Sequence, residues 1–234
     1  MLSGSPSQWV DIGREDSMGV PIYENDSEFW DSTVGVGSNL FEHITGGNDR
    51  AMIVLIYELL DIDVVTSIKY NGTDLTEEIR KTGTGRQIYI WTLKNPDAGT
   101  YDLDIVVTQS TDMHVHIITL ENVDQSGDPF GTAAGNNGAD AAPTVDVASS
   151  ISDLVIDIIG YSDYDVVPTE QGSQVGFADT NSGSGIDTRA ASSYVAGSAT
   201  TTTMDWSLTE TETWLAAGIA VAGKPTIKNR HALL

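Results

Sequence analysis

The chain has 234 residues, 34 of them acidic and 11 basic, giving a formal net charge of −23, and it has no cysteine. That balance repels phosphate backbones and anionic bilayers, which argues against nucleic-acid and membrane partners, and the missing cysteines exclude disulfides and thiolate metal sites. Hydrophobic residues make up 40%, with 5 Trp and 8 Tyr, enough for a packed core, while no apolar stretch approaches the roughly 18 residues that span a bilayer as a helix.

Residues 1–30 carry Pro6, Pro21, Gly4, Gly13 and Gly19 among scattered charges, with no sustained apolar period. They read as an extended N-terminal arm whose Trp9 and Trp30 are too costly to leave in water and should dock on the body or on a neighbour. The opening MLSGSPSQWVDIGRED lacks a basic start followed by an apolar run. No signal peptide is therefore expected, and the chain is expected to stay in a cytoplasm until something releases it.

Strand signals follow from about residue 38. RAMIVLIYELL (50–60) is a continuous apolar run, fit for a strand buried on both faces or for a short helix. VTSIKYNGTDLTEEI (65–79) has two β-rich arms around Asn71-Gly72, a favoured hairpin turn. In RQIYIWTLK (86–94) both faces are bulky, Ile88 and Ile90 on one, Tyr89 and Trp91 on the other. A sandwich strand needs only one inward face. The second therefore needs a cover: a loop, the arm, an oligomer partner or a stacked sugar. After a Pro/Asp/Gly turn, Tyr101, Leu103, Ile105 and Val107 alternate with Asp102 and Asp104, predicting a half-buried strand. DMHVHIITLENV (112–123) is another strand, and 127–143 reads as a long Gly/Ala/Asn-rich connection. Strands resume at PTVDVAS, DLVIDIIGY, QGSQVGFAD, RAASSYVAG, TTTMDWSLTE and TWLAAGIAV. Short strands punctuated by turns, with no helix-length amphipathic segment, predict an all-β antiparallel two-sheet sandwich over 31–222. Residues 223–234 reverse the charge with Lys224, Lys228 and Arg230. They read as a basic tail, either solvated or pegged into an acidic surface of an adjacent subunit.

The pieces SIKYNGTDLT, TLKNPDAGTYDLDIVV, ITLENVDQSGDPF, SDLVIDIIG and TTTTMDWSLTETETWLAAGIAV, in this order, resemble a jelly-roll module of phage and viral structural proteins and of some bacterial surface proteins. The resemblance covers roughly residues 38–222. It implies a jelly-roll sandwich without shared catalytic residues. The chain departs from the pattern at Asn122, where Gly is usual, and at His114 and His116, where small or apolar residues are usual.

Three patterns carry candidate chemistry. DTNSGSGID (179–187) alternates oxygen donors and glycines, so Asp179, Asn181 and Asp187 could hold calcium. The stretch fails the EF-hand pattern, however, and turn chemistry favours a mobile loop. His114 and His116, at i and i+2, share one side of a strand and could place two imidazoles on a metal, with His43 or an Asp as third ligand; packing is the plainer reading. Glu77-Glu78 could supply a hydrolase's two carboxylates, but such pairs arise by chance in so acidic a chain. No cofactor is expected.

An all-β body with an arm and a tail but no signal peptide fits a non-enzymatic virion structural protein, a capsid decoration or a tail or fibre component. Its partners would be other virion proteins and itself, as a homo-oligomer, plausibly a trimer. Trp9, Trp30, Tyr89, Trp91, Lys228 and Arg230 are the expected interface residues. The alternative is a carbohydrate-binding or adhesive module at an extracellular surface, and a glycosidase-like sandwich stands third.

Overall fold

In a strand, neighbouring side chains point to opposite faces, so a run that is apolar at every position must be covered twice. The computed structural model describes residues 10–11, 15–183, 187–228 and 231–232, with side chains described for 19–29, 34–183 and 187–225. The described residues form antiparallel strands in chain order. Ahead of the body lie β1 (Val10–Asp11) and β2 (Glu15–Met18). The first half comprises β3 (Ile22–Val34), β4 (Gly37–Thr45), β5 (Ala51–Glu58), β6 (Val65–Tyr70), β7 (Thr73–Asp74), β8 (Thr76–Gly83), β9 (Arg86–Lys94), β10 (Gly99–Val107) and β11 (Thr111–Glu121). The second half comprises β12 (Ala134–Asp140), β13 (Thr144–Ala148), β14 (Asp153–Ser162), β15 (Pro168–Glu170), β16 (Val175–Asn181), β17 (Thr188–Ala196), β18 (Thr201–Leu208) and β19 (Glu212–Ala222). β20 (Pro225–Lys228) and β21 (His231–Ala232) follow.

The body has four sheets where the sequence reading has two. An outer sheet β4-β10-β6-β7 packs on an inner sheet β3-β11-β5-β9-β8. A second inner sheet β12-β19-β14-β17-β16 packs on a second outer sheet β13-β18-β15. The two inner sheets lie face to face, giving three cores. The first holds Met52, Val54 and Ile56 of β5 with Leu103 and Ile105 of β10. The third holds Val155 and Ile159 of β14 with Met204 and Trp206 of β18. Between them is a seam that joins Ile53, Leu55 and Tyr57 of β5 to Leu154, Ile156 and Ile158 of β14 and to Leu215 and Ile219 of β19.

This stacking explains the doubly apolar strands. All eight residues of β5 are buried because its two faces serve two cores. In β9, Ile88 and Ile90 enter the seam while Tyr89 and Trp91 enter the first core. The second face of 86–94 is thus covered by another sheet of the same chain, and Tyr89 and Trp91, 0% and 7% exposed, are core residues with no surface to offer a partner. The apolar excess that motivated self-association through this strand is used up internally.

The halves repeat each other. Numbered from β3 and from β12, with the β6–β7 hairpin matched to β15, both give one sheet in the order 1-8-3-6-5 and another in the order 2-7-4. β9 and β17 each have 9 residues, and β11 and β19 each have 11. Tyr70-Asn71-Gly72-Thr73 matches Glu170-Gln171-Gly172-Ser173, with Gly72 at φ 80° and Gly172 at φ 65°, the left-handed region where glycine costs least. Across the seam β3 meets β16, β11 meets β17, β5 meets β14, β9 meets β19 and β8 meets β12. Under the match these contacts map onto themselves, as in the isologous interface of a two-fold dimer.

Two differences from the sequence reading concern boundaries. Residues 22–34, assigned mostly to the arm, form the edge strand β3, paired with β11 from Ile22↔Glu121 to Val34↔Thr111. The Gly/Ala/Asn-rich connection contains β12, which pairs with β19 from Ala134↔Gly218 to Asp140↔Glu212.

The terminal segments pair with each other. β2 runs antiparallel to β20, with Glu15 opposite Lys228, and β1 to β21, with Asp11 opposite His231. The resulting ribbon leaves the body at Asn122. There the Gly19 N–H donates to Lys224 O (2.8 Å), the Lys224 N–H to Asn122 O (2.8 Å), and Asn122 Nδ2 to Val20 O (3.0 Å). Asn122 has φ 60°. That accounts for its departure from the resemblance, since Asn tolerates the left-handed region best after Gly.

Candidate functional site

A chain of buried polar side chains lies in the seam. β11 alternates so that Met113, Val115 and Ile117 face the first core while His114 and His116 face the second half. β16 and β17 present small hydroxyl residues against them. His116 Nδ1 lies 2.7 Å from Ser192 Oγ and its Nε2 lies 2.7 Å from Thr180 Oγ1. The same Thr180 oxygen is 2.7 Å from His114 Nδ1, and His114 Nε2 is 3.1 Å from Thr188 Oγ1. The five side chains form a relay, Ser192–His116–Thr180–His114–Thr188, that can carry one hydrogen-bond sense from end to end with both rings neutral. Both histidines are 0% exposed. Burial pulls His116 down to about 3, and burial together with the neighbouring His116 holds His114 well below the ordinary imidazole value.

The repeat is broken here. Matching β11 to β19 end to end aligns His114 with Leu215 and His116 with Ala217, so the symmetry-related side of the seam is apolar. There Leu215 lies against Gly83, its nearest atom 2.9 Å from where a Cβ would stand.

His43 is not a third ligand to this pair. It sits on the opposite face of β11, with Nε2 2.8 Å from Thr119 Oγ1 and Nδ1 2.8 Å from Ser27 Oγ, and burial lowers it to about 4. Two buried carboxylates occupy the sandwich cores. Asp157 accepts from Trp206 Nε1 (2.6 Å), Ser193 Oγ (2.6 Å) and the Ser193 N–H (3.1 Å), and burial pushes it up to about 7. Glu58 accepts from Thr111 Oγ1 (3.0 Å) and the Leu60 N–H (3.0 Å), and burial pushes it likewise to about 7.

The calcium candidate is divided. Asp179 and Asn181 belong to β16, and Asp187 lies just before β17, with Ser184–Ile186 outside the described residues. The Asp179 carboxylate is engaged by Arg189 through Nε (2.7 Å) and Nη2 (2.6 Å). Asp187 accepts from the Tyr164 N–H (3.3 Å). Among the described residues no cluster of three or more His, Cys, Asp or Glu side chains is arranged to hold a metal ion. Of the hydrolase candidates, Glu78 Oε1 accepts from Thr92 Oγ1 at 2.6 Å and burial raises Glu77.

Of the expected interface residues, Trp9 and Arg230 lie outside the described residues, and Trp30 and Lys228 have described backbone only, in β3 and β20. Lys224 extends its ammonium to Asp49, 2.5 Å away on the first half of the same chain.

The body's surface has a groove of about 380 Å3 on the first outer sheet, lined by Glu42, Asn71, Thr100, Tyr101, Asp102 and Asp104. Tyr101, 36% exposed, stands edge-on to Tyr70 with ring centres 5.8 Å apart. Asp97 holds the turn residue Asn71 through its side-chain amide at 2.9 Å. Compared with known proteins, the chain matches no protein-family model, no curated protein and no solved structure.

Proposed function

We propose that this chain is a non-enzymatic structural component of a virus-like particle, a capsid decoration or a tail or fibre subunit, attached through its terminal segments. The observation that carries the reading is the ribbon: the two segments outside the sandwiches pair with each other and leave the body at one point. In this reading the jelly-roll assignment applies to each half. The repeated orders 1-8-3-6 and 2-7-4 are those of an eight-strand jelly roll whose fifth strand has crossed to the neighbouring sheet. Exposed polar side chains on the outer faces, beside the exposed Leu40 and Ile44 of β4, support the same assignment. Ser38, Glu42 and Asp102 lie on one outer sheet, and Thr203, Asp205 and Ser207 on the other, giving a solvent-facing exterior at both ends of the stack.

The test is co-sedimentation with particles from the native source. Deleting residues 1–18 together with 225–234 is expected to leave the thermal transition of the body nearly in place and to abolish binding. Undiminished binding by the truncated body would refute attachment through the ribbon.

A second reading, a glycan-binding module, is favoured by the groove beside Tyr101, where an exposed ring adjoins carboxylates and an amide that suit sugar hydroxyls. A glycan array with the intact chain and with Tyr101→Ala decides it: signals that vanish in the variant support this reading.

A further inference from the structure

A sheet edge is a row of unpaired backbone groups, and proteins guard long edges with charge, proline, bulges or brevity. Most edges here are guarded in one of these ways. β8 carries Glu77, Glu78, Arg80 and Lys81, and β3 and β16 meet their neighbours with register shifts. β7 and β15 have 2 and 3 residues, and β15 opens on Pro168. β4 carries one carboxylate, Glu42, and none of the other guards. Its 9 residues pair with β10 without a shift, from Thr45↔Gly99 to Gly37↔Val107, and among the described residues no strand lies on its other side. Leu40 and Ile44 point outward from it, 62% and 53% exposed, and Val36, 70% exposed, stands just before it. The second half has no such edge. Matching β4 to β13 through their partners β10 and β18 puts Thr144, Asp146 and Ala148 where β4 has Leu40, Glu42 and Ile44, with Pro143 in place of Asn39.

We propose that β4 is a self-association edge: two copies of the chain join β4 to β4, antiparallel about Leu40, so that their outer sheets become one. This edge is separate from the ribbon and needs no particle. A second copy is the occupant because the pattern is its own complement. With Leu40 on the two-fold axis, Leu40 meets its own counterpart, Ile44 meets Val36 and Glu42 meets Ser38. All the exposed apolar side chains of this edge then face apolar ones. The two Glu42 residues stand four positions apart, roughly 14 Å at about 3.4 Å per residue, beyond the screening length of about 8 Å at physiological salt. The backbone has the matching parity. In an antiparallel ladder the N–H and C=O of one residue point to the same side, and alternate residues point to opposite sides. Asn39 Nδ2 reaches the Ile105 carbonyl, which faces β4 (3.3 Å). The Asp102 and Val106 carbonyls face β6 and its turn, accepting the Asn71 N–H (3.3 Å) and Thr66 Oγ1 (3.1 Å). Asn39, Phe41 and His43, opposite Ile105, Leu103 and Tyr101, are therefore the residues bonded to β10. Ser38, Leu40 and Glu42 aim their backbone groups the other way. The Ile44 carbonyl confirms the direction, accepting Asn25 Nδ2 from β3 at 3.0 Å. Leu40 against its counterpart and Ser38 against Glu42 on either side are then closely spaced pairs with two hydrogen bonds each, about six in all. One strand pair belongs to the small, transient class of interfaces, under about 1,200 Å², so dissociation in the micromolar range is expected. Repulsion between two chains of charge −23 opposes it, and salt should strengthen it.

The test is sedimentation equilibrium of the intact chain at roughly 10 to 300 μM, in low salt and in roughly 0.5 M salt. A reversible monomer–dimer equilibrium is expected, several-fold tighter in the higher salt. Leu40→Lys sets two ammonium groups face to face on the axis and should lower the association constant about tenfold or more. Thr144→Lys, at the matched position of β13, should leave it unchanged. The chain has no cysteine, so oxidation of introduced ones reads the register separately. Leu40→Cys puts two Cα atoms about 5.5 Å apart, within disulfide reach, and should cross-link. Glu42→Cys leaves them roughly 14 Å apart and should not. The proposal fails if the chain stays monomeric at the highest concentration and salt, or if it forms trimers instead of dimers. It fails equally if Leu40→Lys weakens association no more than Thr144→Lys does, or if Glu42→Cys cross-links as readily as Leu40→Cys.

Discussion

At the scale of single residues, close approach and buried charge set the largest expected effects. Gly160 lies under the Tyr57 ring, where an added Cβ would stand 2.4 Å from a ring carbon. Gly160→Ala must push a buried ring through a packed seam, and overpacking of this kind costs about 1–3 kcal/mol. Urea denaturation should show that loss as a lower midpoint at unchanged slope. Trp206 raises a different question, because its Nε1–H points at a carboxylate that titrates near neutrality. Above about pH 8 Asp157 is ionised, and losing a hydrogen bond to a charged group costs about 1.5–3 kcal/mol; near pH 5 it is neutral and the bond is worth about 1. Trp206→Phe should therefore destabilise more at the higher pH, on top of a packing loss common to both, and an equal loss at the two pH values would place the charge elsewhere. The histidine pair was legible in the sequence as two rings on one strand face. The hydroxyls were not, because Thr180, Thr188 and Ser192 arrive from strands 64 to 76 positions further along. Their one local signal is the run of small residues in RAASSYVAG, which suits close sheet packing.

At the scale of elements, the two faces of an inner strand belong to separate cores and should act independently. Leu55 enters the seam and Ile56 the first core, although they are neighbours in β5. Leu55→Ala and Ile56→Ala should each cost about 2–5 kcal/mol, and the double variant should lose their sum to within about 0.5 kcal/mol. Leu55→Ala combined with Ile219→Ala, within one cluster, should depart from additivity. A double-variant cycle by chemical denaturation separates the two cases. Strands whose face pattern is strong were readable: Leu103, Ile105 and Val107 are buried as their alternation requires, and the apolar run at 50–60 is a strand covered twice. β12 was not readable. Its AGNNGAD sequence has little to bury, and pairing with β19 makes it a strand, with Gly138 under the Trp214 ring. The repeat was hidden for a related reason. Matched strands share a burial role but little identity, as in Leu103-Ile105-Val107 against Met204-Trp206-Leu208, and the positions of the two histidines are taken by Leu215 and Ala217 in the second copy.

At the scale of the whole molecule, the buried ionisable groups nearly balance. Between about pH 4.5 and 6 the unfolded chain takes protons on His43, His114 and His116 that the folded chain refuses, so acidification destabilises. Over the same window the folded chain keeps protons on Glu58 and Asp157 that the unfolded chain releases, so acidification stabilises. Three protons against two leaves about one, and stability should fall by about 1.4 kcal/mol per pH unit instead of about 4. Asp157→Asn removes one opposing proton, so its loss should steepen to about 2.7 kcal/mol per pH unit whatever its absolute stability. Denaturation midpoints across the window give both slopes, and an unchanged slope would mean Asp157 is ionised throughout. The formal charge of −23 adds a general repulsion that salt screens, so the melting temperature should rise with ionic strength. The all-β class was legible at this scale. The number of layers was not, because it depends on how one half covers the other.

The ribbon has a mechanical meaning as well. Val10 lies beside Ala232 and Met18 beside Pro225, so tension applied at residues 10 and 232 pulls the two strands apart from one end. Their backbone bonds would be loaded in succession and not all at once, which is the weak direction for a β-ribbon. A tug through those segments would be absorbed by unzipping before any load reached the Gly19–Lys224 contact, and the layers behind it would feel nothing until the ribbon was spent. The ribbon would act as a mechanical fuse.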